Sequence, residues 1–322
     1  MPKSNLSANG YILLTGNGNP KLAHDIAKIL KKPIYNPISY FSDGEIRVKV
    51  EPNMRRRHVY IIQPTAPPVN DRLMELVLMI DAVKRSSASE IIAVVPYFGY
   101  ARQDRKEQSR VPISAAAVAN MIEHRGADRI LTIDLHAEQI AGFVRCSWDN
   151  LYGSYTLIPA IKAKKLQNIV VASPDKNGVA RATAYANRLG ATNIAIVYKE
   201  RDLHVNDVSE ALAFVGNVKG KNVLLVDDMI SAGGTIINAA NFLKANGAKT
   251  VYAVVTHGLF TGDALAKIST SSIDEIIVTD SVMHRKEVID NPKITIVSVA
   301  PLLAEAMRRF QFGESVSSLF IK

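Results

Sequence analysis

Short runs of β-branched and aliphatic residues recur along this chain with helix-patterned stretches between them, and that alternation restricts the fold more than any other feature. The runs are Val59–Ile62, Ile91–Val95, Ile130–Ile133, Ile169–Ala172, Ile194–Tyr198, Val223–Val226, Val251–Val255 and Ile276–Val278. Between them, Asp71–Lys84, Ala115–His124, Gly178–Leu189 and Thr235–Ala245 carry apolar residues at helical spacing. None of the runs alternates strictly with polar residues, so each strand is to be buried on both faces. Strands of that kind separated by helices form parallel sheets covered on both sides. The sequence predicts an α/β chain.

A weak internal repeat sharpens the prediction. Val59-Tyr60-Ile61-Ile62, a Pro-containing loop, a helix ending at Ala82-Val83-Lys84 and then EIIAVVPYFG parallel Val223–Val226, its loop, a helix ending at Phe242-Leu243-Lys244 and then KTVYAVVTHG. The first strands begin 32 residues before Ile91 in one copy and 28 before Val251 in the other, a difference of one short loop insertion. The chain of 322 residues is long enough for two domains of about 150 residues. A duplicated domain is expected over residues 1–150 and 151–322, the second with a C-terminal tail. The copies differ locally: Asp227-Asp228 in the second stands where the first has Gln63-Pro64, which leaves the first free for another ligand.

The stretch VLLVDDMISAGGT, residues 223–235, carries the most chemistry. In an open α/β sheet, ligands sit beyond the carboxyl ends of the strands, where Asp227 and Asp228 are expected. Ser231-Ala232-Gly233-Gly234-Thr235 then lead into a helix whose first amides point outward unpaired and carry partial positive charge. Glycines let such a backbone wrap an anion, and the hydroxyls add donors, so the loop reads as a phosphate cradle. Two carboxylates beside a phosphate would repel it, so they suit polyol hydroxyls or a hydrated cation further along the same ligand. A sugar phosphate fits; the plainer alternative is a strand followed by a capped helix.

At these residues the loop resembles the phosphoribosyl diphosphate motif of type I phosphoribosyltransferase folds, which the nucleobase transferases share. The whole chain resembles more narrowly the ribose-phosphate diphosphokinase family, through FSDGEIRV, PYFGYARQDRK, SRVPISA, DLHAEQIAGF, SPD, KER and the closing GESVSSLF, in the family's order. The resemblance implies two tandem phosphoribosyltransferase-like domains. It also implies transfer of a diphosphoryl group from MgATP to the anomeric hydroxyl of ribose 5-phosphate, giving phosphoribosyl diphosphate and AMP for nucleotide biosynthesis.

By that resemblance Asp227 and Asp228 hold the ribose hydroxyls, and Ser231, Ala232, Gly233, Gly234 and Thr235 the 5-phosphate. Phe41, Asp43, Gly44 and Glu45 in FSDGE, with Arg102, Gln103 and Asp104 in ARQD and His136, bind ATP. His136 and Asp175, at the ends of two apolar runs, bind magnesium; imidazole is an unusual ligand for so hard a cation, so Asp175 or Asp134 is expected to hold it more firmly. Lys199 and Arg201 in YKERD are the catalytic pair, stabilising charge that develops in phosphoryl transfer. The plain reading of GESVSSLF is a frayed terminus. The resemblance instead places a regulatory site for phosphate or ADP at Ser315, Ser317 and Phe320 with Arg110, in a hexamer built from dimers. Two places depart from the family pattern: Ser231-Ala232, where Asp-Thr is common, and Val144–Trp148, where any metal or interface role is doubtful. Gly16-Asn17-Gly18 and GAKT at Gly247 only faintly resemble nucleotide motifs and are assigned nothing.

Charge agrees with phosphorylated partners. Lys and Arg number 39 against 30 Asp and Glu, a formal charge of +9. There is no basic arm, zinc-finger spacing or RNP-like aromatic pattern, which argues against nucleic acid. Cys146 stands alone, excluding an internal disulfide and suiting a reducing cytoplasm. No apolar run approaches the length of a membrane span, so no membrane partner is expected.

Overall fold

Alternate residues of each apolar run are buried on opposite sides, and this decides the layering. The computed structural model describes residues 10–201 and 210–320, except for the side chains of 199–201, 210 and 211. These residues form two compact units.

The first unit runs through β1 (Tyr11–Thr15), α1 (Pro20–Leu30), β2 (Ile34–Tyr35), a separate hairpin of β3 (Ile38–Tyr40) and β4 (Ile46–Val48), β5 (His58–Ile62), α2 (Val69–Arg85), β6 (Glu90–Val94), α3 (Ser114–Arg125), β7 (Arg129–Ile133) and β8 (Ser147–Leu151). Its sheet has the order β2-β1-β5-β6-β7-β8, and every neighbouring pair is parallel. On one face Leu14, Val59, Ile61, Ile91 and Ala93 pack with Leu76 and Ile80 of α2 and Ile122 of α3. On the other, Leu13, Tyr60, Ile62, Ile92 and Val94 pack with Leu22 and Ile26 of α1. Burying one such aliphatic side chain contributes about 1.5–3 kcal/mol, so two filled faces hold the sheet between its helices.

The second unit comprises α4 (Ser154–Ala163), β9 (Ile169–Ser173), α5 (Val179–Leu189), β10 (Ile194–Arg201), β11 (Glu210–Val215), β12 (Asn222–Ile230), α6 (Gly234–Ala245), β13 (Thr250–Gly258), α7 (Ala264–Thr270), β14 (Glu275–Thr279), α8 (Lys286–Ile289) and β15 (Ile294–Val297). The sheet order is β11-β10-β9-β12-β13-β14-β15, with only β10 and β11 antiparallel. Val223, Leu225, Ala253 and Ile276 face α6, α7 and α8, while Leu224, Val226, Val254 and Ile277 face α4 and α5. All of the expected strands and helices form, and the two sheets share one course. In each, one strand connects outward to one side (β1 to β2, β9 to β10) and its neighbour to the other (β5 to β6, β12 to β13).

The compact units depart from a cut at 150/151 at the C-terminus. From Ser298, just before α9 (Ala300–Phe312), the chain rejoins the first unit, which includes 298–320. The reason is apolar: Leu302, Leu303, Ala306 and Met307 are buried in the core that holds Leu13, Leu22 and Tyr60, and the Tyr60 hydroxyl donates to the Met307 carbonyl at 3.2 Å. Nor are residues 314–320 a frayed end, because Leu319 is 1% exposed in that core. Among the described residues no helix is long and apolar enough to cross a membrane.

Candidate functional site

In the second unit, the chain leaves β9 for one side of the sheet and β12 for the other, so the carboxyl ends of these adjacent strands flank a topological switch point, where open α/β sheets bind ligands. Ser173-Pro174-Asp175 lies at the end of β9 and Asp227-Asp228 near the end of β12. The acids do not stand in a loop, as the sequence implied. β12 continues through them to Ile230 because β13 runs equally far and supplies partners, Asp227 opposite Val255 and Ile230 opposite Gly258. Backbone hydrogen bonding therefore holds both carboxylates on a rigid strand.

The pair is poised electrostatically. Asp228 is buried and Asp227 nearly so, and the Asp228 amide donates to Asp227 Oδ1 at 2.8 Å. Burial, and then the neighbouring charge of Asp228, push Asp227 well above the usual carboxylate range. Opposing this is Arg181 of α5, whose guanidinium nitrogen lies 3.4 Å from Asp227 Oδ1 and 3.6 Å from Asp228 Oδ1. Sequence reasoning missed Arg181. A signal existed: a cation in the first turn of a helix opposes the macrodipole and needs a partner elsewhere.

Beyond the acids, Ser231 and Ala232 turn the chain, and Gly233 adopts φ 81°, a conformation other residues reach only with strain. α6 then starts at Gly234 with no side-chain cap, so its first amides face outward beside exposed Ala232, Gly234 and Thr235. Ser231 is half-buried, and its hydroxyl lies 3.1 Å from that of Thr261, another residue the sequence did not single out. Asp175 is half-buried, and its Oδ1 accepts the amides of Asn177 and Gly178 at 2.8 and 3.0 Å, shaping the entry to α5. Lys199 and Arg201 lie within β10 rather than after it, opposite Leu212 and Glu210 of β11; their side chains lie outside the described residues.

The other expected residues belong to the first unit. Phe41, Asp43, Gly44 and Glu45 form the exposed turn of the β3–β4 hairpin. It is closed by Phe41 N–H to Glu45 O at 2.8 Å and by the Glu45 amide on Asp43 Oδ1 at 3.1 Å. Phe41 is 50% exposed, and the Arg47 guanidinium lies 5.8 Å from its ring centre. Arg102, Arg105, Lys106 and Arg110 are exposed on the loop between β6 and α3. Gln103 and Asp104 are tied into that loop: Gln103 Oε1 accepts the Ser114 hydroxyl, and Asp104 Oδ2 accepts Gln139 Nε2 at 2.7 Å. At the end of β7, buried Asp134 has φ 42°, strain that clusters at functional positions, and exposed His136 follows. Among the described residues no group of three or more His, Cys, Asp or Glu side chains forms a metal site. Val144–Trp148 enters edge strand β8; Trp148 donates to Thr132 Oγ1 at 2.9 Å and packs edge-on against Phe98.

The tail is pinned by two arginines of α9. Arg308 joins Glu305 and Glu314, at 2.9 and 2.6 Å, while Arg309 donates to the Ser315 carbonyl and the Ser318 hydroxyl. The hydroxyls of Ser315 and Ser317 lie 3.0 Å apart, and Phe320 packs partly on the core.

Comparison with known proteins agrees with these features. Residues 11–126 match the family model described as the N-terminal domain of ribose phosphate pyrophosphokinase, and residues 201–321 match that of the phosphoribosyl synthetase-associated domain. The chain is 49% identical to the ribose-phosphate pyrophosphokinase of Wolinella succinogenes, over 97% of this chain and 99% of the relative. It is 46% identical to that of Ralstonia nicotianae over 98% and 99%. The crystal structure of phosphoribosylpyrophosphate synthetase from Mycobacterium smegmatis superposes with a TM-score of 0.88 at 36% identity, covering 95% of this chain and all of that one. Two mainly parallel sheets flanked by helices, an acidic strand end above an uncapped helix, and near-full-length identity converge on one result: the chain belongs to the ribose-phosphate pyrophosphokinase family.

Proposed function

We propose that the chain transfers the diphosphoryl group of ATP to the anomeric hydroxyl of ribose 5-phosphate, giving 5-phosphoribosyl 1-diphosphate and AMP. The observation that carries this is the arrangement at the second unit's switch point. Two strand-held carboxylates balanced by Arg181 stand before the free amides of α6, an acceptor set for hydroxyls next to a donor set for phosphate. Asp227 and Asp228 accept the ribose hydroxyls, and Ser231–Thr235 take the 5-phosphate. Held there, the anomeric oxygen attacks the β-phosphorus of ATP; the bond to the α-phosphate oxygen breaks, AMP leaves, and the hydroxyl proton passes to solvent. No side chain is needed as a base, since positioning supplies much of the rate.

Phe41, Asp43, Gly44 and Glu45 contact the nucleoside, Arg102, Gln103, Asp104 and His136 the triphosphate and base, and Lys199 with Arg201 stabilise the transferring group and departing AMP. Asp175 keeps an oxygen beyond the one its loop uses, a hard carboxylate donor of the kind magnesium takes. Bound magnesium would be held by Asp175 in the second unit or by His136 in the first, and would supply positive charge against the triphosphate. We propose a cytoplasmic location as well, which the lone Cys146 suits. We also propose a hexamer built from dimers, with Ser315, Ser317, Phe320 and Arg110 forming a phosphate or ADP site.

Incubation with ribose 5-phosphate, ATP and magnesium is expected to release AMP in equal amount to 5-phosphoribosyl 1-diphosphate; absence of AMP would refute the assignment. A mass measurement of the assembly tests the hexamer, and the same assay with and without inorganic phosphate tests regulation.

A further inference from the structure

The first unit has its own switch point, between β1 and β5, and no ligand role falls to it. The residues at those strand ends are Gly16-Asn17-Gly18, the fragment left without a function, and Gln63-Pro64, the pair that replaces the two aspartates. Here the protein fills the crevice itself. The Gly18 amide donates to Gln63 Oε1 at 2.8 Å, and a Cβ on Gly18 would stand 2.3 Å from the Pro64 carbonyl oxygen, closer than any side chain permits. What lies above is a single carboxylate. Glu75 of α2 is 0% exposed, yet five donors converge on it: the Asn17 amide at 3.2 Å, Asn17 Nδ2 at 2.8 Å, Gln63 Nε2 and Arg72 at 2.5 Å each, and the Tyr40 hydroxyl at 2.6 Å.

Tyr40 makes this more than a satisfied buried charge. Its residue is 52% exposed and so adds little to the core, but it ends β3 and directly precedes Phe41. A two-stranded hairpin is marginal in isolation. Ile38 and Val48 lean on the core at its base, and the far end of β3 is held by the Tyr40–Glu75 bond, with Asn36 Nδ2 donating to Asn17 Oδ1 at 2.9 Å. We infer that the first unit's ligand crevice has become a clamp, centred on Glu75 and Asn17, that positions the Phe41 turn for the nucleotide. Glu75, Asn17 and Tyr40 are then positioning residues, acting through Phe41; this rests on the proposed contact between that turn and ATP.

Glu75→Gln would strand Arg72 beside a neutral group and perturb the whole unit, so the test uses its lighter partners. Tyr40→Phe and Asn17→Ala are each expected to raise KM for ATP about tenfold, the scale of one hydrogen bond to a charged group, while kcat and KM for ribose 5-phosphate change by less than about twofold. Amide hydrogen exchange over residues 36–48, measured without nucleotide, is expected to quicken in both variants at unchanged melting temperature. Combined with Phe41→Ala, Tyr40→Phe is expected to add nothing further. Exchange equal to that of the parent protein, or an additive double variant, would overturn the clamp. If Phe41→Ala itself leaves KM for ATP unchanged while exchange still quickens, the clamp exists but the nucleotide contact fails, and the inferred purpose goes with it.

Discussion

Replacing Arg181 with methionine, a neutral side chain of similar length, removes the cation that balances the acidic pair. At 3.4 Å from Asp227 its charge is worth about 5 kcal/mol at an effective dielectric of 20 and about 1 kcal/mol in bulk water. The Asp227 side chain is 20% exposed, so solvent screens part of this, and a loss of ~1.4–2.8 kcal/mol, or roughly one to two pKa units, is the expected range. The direction is fixed: burial and Asp228 already raise Asp227, and without Arg181 it rises further. In the proposed complex, only the ionised pair accepts both ribose hydroxyls. KM for ribose 5-phosphate is therefore expected to rise about ten- to hundredfold near neutral pH and to recover by about tenfold per unit as pH climbs towards the raised value. Stability changes with pH too. A carboxyl raised in the folded state contributes fully below its unfolded value near 3.8 and loses that contribution as pH rises through the folded one. Arg181→Met should thus lose melting temperature relative to the parent on the alkaline side. The assays are KM and kcat against pH, with melting curves in the same buffers. A variant whose KM profile runs parallel to that of the parent protein would refute the role given to Arg181.

Lys199→Ala is expected to lower kcat by about a hundredfold with an unchanged melting curve, as for the loss of one transition-state donor; near-normal turnover would remove Lys199 from the chemistry. Leu319→Ala, which empties a fully buried position on the tail, should cost about 2 kcal/mol or more by denaturant titration, because the tail is part of the core. Glu305 is drawn down to about 2 by hydrogen bonds from Arg308 and Arg309, so its contribution is present above the unfolded value of 4.5 and fades as pH falls towards 2. The melting-temperature gap between the parent protein and Glu305→Gln should therefore close across that interval; a gap constant down to pH 2 would contradict it.

Much of the fold was legible because burial on both faces leaves a local mark. The strands at Val59, Ile91 and Val223 and the helices between them could be read from apolar spacing, and the repeat followed. The site was legible where chemistry and local backbone coincide: Asp227-Asp228 before Ser231–Thr235 stand next to one another in the chain. Arg181 was not, because it meets the acids 46 residues away in sequence. Glu75 reads as an ordinary residue of an amphipathic helix until Asn17, Tyr40 and Gln63 are seen to converge on it.

The chain order of apolar and polar residues thus determined the strands, the helices, the mainly parallel sheets and the adjacency of the two acids to the glycine turn, since each depends on residues a few positions apart. Tertiary structure alone decided that β12 carries its acids beyond Val226, because the length of a strand is set by the neighbour that hydrogen-bonds to it. It also decided that α9 closes the first unit's core and that the first crevice is sealed by Gln63 and Glu75. Those outcomes depend on which surfaces exclude water together, and no local pattern records that.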